Sequence, residues 1–242
     1  MRHVSVFIDL DAASMPVLLE HLQSPNPLER ADAACAIGDR LRCKEIHSLD
    51  PEVHNTLLML LKDRVKEVQF EAAITLAQIQ DNHALDILLQ AMRHRHTRLD
   101  AVRALGELKA PEAIPALHQT MQSWWMPWAD KLQAAAALCR MNHPEGVQYL
   151  TQKIHSTRTA ERAAAIHFIG ESQHPDALQM LTALLENPQE PLKDTAVRAL
   201  GMLGDEKGLH VLAQMKKEAE EDLLEDIETA VQQIKNKHLK YT

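Results

Sequence analysis

Three tryptophans, Trp124, Trp125 and Trp128, stand within five residues in the segment SWWMPWAD (Ser123 to Asp130). They are the only tryptophans of a 242-residue chain in which aromatic residues make up 3%. Aromatic side chains grouped in this way can grip a partner, since each buries a large rigid area at small entropic cost. The competing reading is that they plug the gap between packed helices. A second group is acidic. Asp32 and Asp39, Glu71 and Gln78, Asp100 and Glu107 are pairs seven residues apart, so each pair shares one helix face. Acids gathered on such a ridge suit a partner of basic character; the competing reading is a solvated face with internal pairs such as Arg103 with Glu107. Fourteen histidines raise the question of a metal. His94-Arg95-His96 is the one His-x-His, and it has no cysteine or carboxylate in ligand spacing. No metal site and no cofactor are therefore expected. No Ser/His/Asp set, Gly-rich phosphate loop or paired catalytic carboxylate can be placed, so no catalytic residue is assigned and the chain reads as non-catalytic.

The elements that must carry these residues are announced by a recurring phrase. Its versions are RADAACAIG (Arg30 to Gly38), QFEAAITLA (Gln69 to Ala77), RLDAVRALG (Arg98 to Gly106), KLQAAAALC (Lys131 to Cys139), RAAAIHFIG (Arg162 to Gly170) and KDTAVRALG (Lys193 to Gly201). Their last residues fall at 38, 77, 106, 139, 170 and 201, a period of about 31 with one longer gap at the start. Such a period marks a stack of helical hairpins, in which no unit buries its apolar face alone. Five residues before the terminal position stands Ala33, Ala72, Ala101, Ala134, Ala165 or Ala196. One residue before it stands Ile37, Leu76, Leu105, Leu138, Ile169 or Leu200. The two columns lie four apart on one face, the small one admitting a neighbouring helix and the large one filling the seam.

Pro111, Pro144 and Pro175 then open the next helix, where a missing N–H is harmless. Asp81 and Asp205 hold the N-cap slot in other units, and His143 and His174 take that slot before their prolines. The resulting helix pairs are 15–23 with 27–41, 51–62 with 65–80, 83–93 with 97–108, 111–122 with 127–141, 144–155 with 158–171, 175–187 with 190–203, and 205–217 with 220–236. The last pair is heavily charged, as an end-closing unit should be. A basic column, Arg30, Arg98, Lys131, Arg162 and Lys193 with Gln69 as the exception, could follow phosphates. At a helix start once per unit it more naturally fixes the turn within each repeat, by bonding carbonyls or acids of neighbouring units.

The fold class is thus all-α, a right-handed α-solenoid running through residues 1–242 as one domain, with six clear repeats and a divergent carboxy-terminal helix pair. The formal net charge of −8 and the sequence pI near 5.9 disfavour nonspecific contact with nucleic acid or an anionic membrane, while leaving room for a local basic patch. Cys35, Cys43 and Cys139 form no CxxC and read as free thiols of a reducing compartment. Asp9 and Asp11 interrupt the apolar start, and no run approaches membrane-spanning length, so a cytoplasmic location is expected.

The A-x-x-x-[LI]-G core, with its basic residue three positions before the alanine, resembles the HEAT-repeat family. The likeness is to the short bacterial subtype found also in phycobilin lyases and deoxyhypusine hydroxylase, and it covers about Pro16 to Ile234. The hydroxylase would imply adjacent His-Glu pairs holding iron, and no histidine of this chain is followed by glutamate. The lyases would imply handling of a tetrapyrrole and its acceptor protein. The SWW stretch is also similar to a family of alkylpurine DNA glycosylases built of HEAT-like repeats, in which an aspartate four residues after the aromatic pair assists cleavage. Here Ala129 stands at that place and the acid follows at Asp130. The reading that unites these observations is a non-catalytic protein-interaction scaffold, a monomer or weak dimer. It would bind a protein of basic character, neither membrane nor nucleic acid, through Asp32, Glu71, Asp100 and Glu107 on a concave helix ridge, with Trp124, Trp125 and Trp128 as a second anchor.

Overall fold

The computed structural model describes residues 10–172, 174–187, 189–217 and 219–239. Residues 1–9 of the segment read above for a targeting signal lie outside that set. The described chain is all helical and falls into two compact units, Met1–Ala116 and Leu117–Thr242. The first holds α1 (Met15–Leu22), α2 (Pro27–Arg42), α3 (Pro51–Leu60), α4 (Lys66–Gln78), α5 (Leu85–Ala91) and α6 (Arg98–Leu108). Helix α7 (Ile114–Gln122) follows. The second unit continues with α8 (Trp128–Arg140), α9 (Pro144–Lys153), α10 (Thr159–Glu171), α11 (Ala177–Leu185), α12 (Lys193–Leu203), α13 (Gly208–Met215) and α14 (Glu221–Leu239). All seven expected helix pairs are present, with ends shifted by a few residues.

Each unit is a stack of helical hairpins whose second helices lie side by side: α2 on α4 on α6 in the first, and α8, α10, α12 and α14 in the second. The alanine column makes this possible. Ala33, Ala72, Ala101, Ala134, Ala165 and Ala196 are wholly buried, and the large residues four positions on are buried with them. The Gly-like column marks the closest approach. A Cβ added at Gly170 would stand 2.6 Å from the Ala199 carbonyl oxygen and 2.8 Å from Ala199 Cα, so a methyl there collides with the backbone of the next repeat. Within each unit the buried wall is continuous, so each hairpin's core is completed by its neighbours.

The starts and stops follow local chemistry. Pro27, Pro51 and Pro144 occupy the first turns of α2, α3 and α9, and the Asn26 side chain caps α2 by accepting from the Leu28 N–H at 3.1 Å. Two expected starts differ. Pro111 opens a single 3-10 turn, Pro111–Ala113, that leads into α7. Pro175 lies in a turn, and α11 begins two residues later at Ala177, because the His174 ring accepts the Asp176 N–H at 3.2 Å. That bond matches those made by Asp81 to His83 N–H and by Asp205 to Lys207 N–H, each at 2.9 Å, so His174 does the work of aspartate in this slot, whereas His143 precedes α9 without a side-chain cap bond. Second helices end on a left-handed residue three places after the Gly-like column: Gln80, Lys109, Asn142 and Gly204, with φ of 55 to 69°. The backbone there closes on itself, as in His143 N–H to Leu138 O at 2.9 Å, which satisfies carbonyls the helix end would strand.

Candidate partner-binding site

The arginines of the basic column are structural. In the first unit Arg30 holds Asp63 of the next repeat through two bonds, Nε to Oδ2 at 2.8 Å and Nη2 to Oδ1 at 3.0 Å, and donates to the Ser24 carbonyl at 2.8 Å. Arg98 donates to the Met92 carbonyl at 3.0 Å. In the second unit Arg162 donates to the Ile154 carbonyl at 2.8 Å and pairs with the buried Glu190 of the following repeat. Each of these arginines therefore ties the end of the first helix to the start of the second, and Arg30 and Arg162 also reach across to the next repeat. The Arg30 bond holds the Asp63 carboxyl below the usual carboxylate range.

With that column assigned to the scaffold, the ridge of the second helices in the first unit stands out. Counted from the Gly-like residue, positions −6, −3 and +1 recur on one face of α2, α4 and α6. They converge on a cleft of about 240 Å³ whose wall includes Cys35, Asp39, Glu71, Gln78, Asp100 and Arg103. Of the four acids assigned from the sequence, Glu71 and Asp100 line this cleft, joined by Asp39; Asp32 and Glu107 do not. Arg103 pairs with Asp100 at 3.1 Å, not with Glu107, because the three-residue spacing lets the guanidinium reach back toward the cleft. Arg42 likewise pairs with Asp39.

Glu71 is set apart from the other two acids. Burial first, and then the charges of Asp100, Glu67 and Asp39, push its carboxyl up to about 7. The same surroundings act on its neighbour: partial burial and the charge of Glu71 push the Cys35 thiol up to about 11, so it stays protonated at neutral pH. The cleft thus contains two acids already matched by arginines and a third whose charge is costly until a cation arrives. Arg42 and the Cys35 thiol carried no signal in the sequence, since they look like an ordinary helix end and a small apolar position.

In the second unit the tryptophans lie on the turn between α7 and α8. Trp124 is 86% exposed, Trp125 63% and Trp128 38%. The Trp124 and Trp125 rings meet edge to face, with centroids 5.9 Å apart and planes at 90°. Pro127 immediately precedes α8, and the Ser123 N–H bonds the Gln119 carbonyl at 3.1 Å, so the turn is held at both ends. Trp124 and Trp125 are open to solvent, contrary to the plug reading, while Trp128 is more than half covered. Asp130, the acid a glycosylase-like arrangement would need beside them, is buried at the start of α8. Among the described residues no group of three or more His, Cys, Asp or Glu side chains is placed to hold a metal ion, and no helix is long and apolar enough to cross a membrane.

Comparison with known proteins agrees with this geometry. A family model of HEAT repeats matches residues 15–99, 125–193 and 147–232, and one of the PBS lyase HEAT-like repeat matches residues 97–123. The chain belongs to the HEAT-repeat family. Protein YibA of Escherichia coli strain K12 is 30% identical over 108 residues, 44% of this chain; the match spans only 36% of the length of that relative. Among solved structures, the CpcE–CpcF complex of phycocyanin lyase from Nostoc sp. PCC7120 is similar at a TM-score of 0.52 and 18% identity, covering 95% of this chain and 92% of that one. Human deoxyhypusine hydroxylase is similar at a TM-score of 0.41 and 17% identity, covering 91% and 96%. At 18% identity the likeness to the phycocyanin lyase complex is one of fold. HEAT-repeat membership makes the α-solenoid of helical hairpins the architecture of this chain.

Proposed function

We propose that this HEAT-repeat protein is a non-catalytic interaction scaffold that holds another protein, with the tryptophan turn as its anchor. The observation that carries the reading is the exposure of Trp124 and Trp125 on a turn held at both ends. Apolar area of that size is a standing cost in water, and rigid aromatics lose little freedom when a partner covers them. The ridge in the first unit adds the chemical preference. Asp32 and Glu107 border the ridge and Asp100 lines the cleft, while Glu71 is the carboxylate that gains most from a lysine or arginine of a partner of basic character. The scaffold acts as a monomer or weak dimer in the cytoplasm, and needs no cofactor.

The test is affinity purification from cells that make the protein, comparing the parent with Trp124→Ala/Trp125→Ala at equal helical content. A protein retained by the parent and lost by the variant supports the reading. Equal retention by both moves the anchor away from this turn.

A further inference from the structure

The first unit carries a second charged surface, of the opposite sign. The turns inside its repeats all open on one edge, because α2, α4 and α6 pack side by side and start there. Two of those turns are basic at their tips: Lys62 and Arg64 between α3 and α4, Arg93 and Arg95 between α5 and α6, with Lys66 beside the first pair and His94 and His96 within the second. All seven side chains are exposed. Lys62, Arg64, Arg93 and Arg95 make no ion pair and no side-chain hydrogen bond among the described residues. The acids within reach are committed or few: Asp63 is held by Arg30, Glu29 beside Leu28 accepts from Ser24 and Asn26, and Glu67 is exposed next to Lys66. The amino-terminal ends of α4 and α6 point their unsatisfied N–H groups at the same edge and add to its positive potential. In a chain of net charge −8, a concentration of unpaired cations on one edge is a surface kept free of neutralising partners.

The same edge exposes apolar side chains. Leu28, in the first turn of α2, is 61% exposed, and Leu99, in the first turn of α6, is 44% exposed. Leu28 follows the uncharged turn at one end of the three-helix row and Leu99 follows the Arg93–His96 tip at the other. With helix axes about 10 Å apart, the row from α2 to α6 spans about 20 Å, the reach of roughly six to eight extended residues.

We infer that this edge docks an extended acidic protein segment, carboxylates on Lys62, Arg64, Arg93 and Arg95 and apolar side chains on Leu28 and Leu99. Two features favour a peptide over other polyanions. A nucleic acid backbone would leave the leucines uncovered, and no aromatic ring stands on this edge to stack a base. A bilayer would meet the turn tips first, and two of the three tips carry cations, with the leucines set back on the first turns of the helices behind them. The surface is independent of the Glu71 cleft and of the tryptophan turn.

The test uses the full chain and three probes: a fluorescein-labelled octapeptide rich in Asp and Glu with leucine near both ends, a single-stranded oligonucleotide, and phosphatidylserine–phosphatidylcholine vesicles. The peptide should bind, and raising salt from about 50 to about 300 mM should weaken it at least tenfold. Arg64→Glu/Arg93→Glu/Arg95→Glu, folded as the parent by circular dichroism, should lose binding by at least tenfold. Leu99→Ala should lose it a few-fold without changing the salt dependence. Glu71→Gln should leave it unaltered, which separates this site from the cleft. Absence of peptide binding, binding indifferent to the triple reversal, or stronger binding of oligonucleotide or vesicles that the reversal abolishes would each overturn the proposal.

Discussion

Glu71→Gln should make the protein more stable at alkaline pH and leave it unchanged at acid pH. The Glu71 carboxyl sits at about 7 in the folded chain against an ordinary 4.5, chiefly because of burial and secondarily because of Asp100, Glu67 and Asp39. A carboxyl raised in this way binds more protons folded than unfolded between those two values. Stability is therefore lost as pH climbs from about 4.5 toward 7, and the loss is complete above the folded value. At 1.36 kcal/mol for each tenfold change, the full displacement corresponds to about 3 kcal/mol. The side chain is only partly buried, and water screens the charges around it, so about 1–2 kcal/mol is expected. Glutamine preserves the volume and takes away the charge. Urea unfolding of parent and variant from about pH 4 to about 8.5 should give nearly equal midpoints at the acid end and diverging ones toward the alkaline end, half of the divergence reached near about pH 6 and most of it by about pH 7, at constant m-value. Cys35 titrates well above this window and does not confuse it. A difference that is flat with pH, or as large at pH 5 as at 8.5, would refute the idea that an uncompensated carboxylate is stored in the cleft.

The remaining predictions concern the turn and the seams. Intrinsic fluorescence reports on the site alone, since all the tryptophans lie there; it should show water-like emission and strong acrylamide quenching, and Trp124→Ala should leave the thermal midpoint within about 2 °C, as surface substitutions do. Blue-shifted, protected emission would mean that the turn is folded under. Gly170→Ala should cost about 1–3 kcal/mol, because its new methyl meets the Ala199 backbone and no rotamer can relieve it; an unchanged urea midpoint would contradict the close approach of α10 and α12. Ala101→Leu, at a wholly buried seam position, should cost a similar amount, and equal melting of variant and parent would remove the basis for assigning that column to packing.

The helix pairs were legible because two demands coincide at each repeat. Ala72 and Leu76, or Ala196 and Leu200, lie four apart on one face, so periodicity and packing point the same way. The turn arginines were legible for a related reason: a cation at the same place in nearly every unit answers a need that every unit has. The charge partners were not legible. Arg103 has Asp100 three residues before it and Glu107 four after, both within reach on a helix, and spacing alone does not say that it holds Asp100. The exposure of the tryptophans could not be read either, because a turn has no period to say which side faces the core. The helix ends at Gln80, Lys109 and Asn142 were hidden by the absence of glycine, the usual marker of a left-handed residue.

The same division explains why this chain declares its architecture and keeps its partner unstated. Stability in a stacked repeat is close to a sum over units and the interfaces between neighbours. Here those interfaces are built by the alanine, leucine or isoleucine, Gly-like and arginine columns, and these vary little from one repeat to the next. The ridge positions −6, −3 and +1 hold Asp32, Cys35 and Asp39, then Glu71, Ile74 and Gln78, then Asp100, Arg103 and Glu107. No residue type is common to all three sets. A position that folding does not constrain can carry an unmatched carboxylate such as Glu71, and the turn tips can likewise carry unpaired arginines such as Arg93 and Arg95, without weakening the seam one helix face away. On the proposed reading, recognition is written at the places where the repeat stops repeating: the mismatched cleft, the aromatic turn and the basic edge.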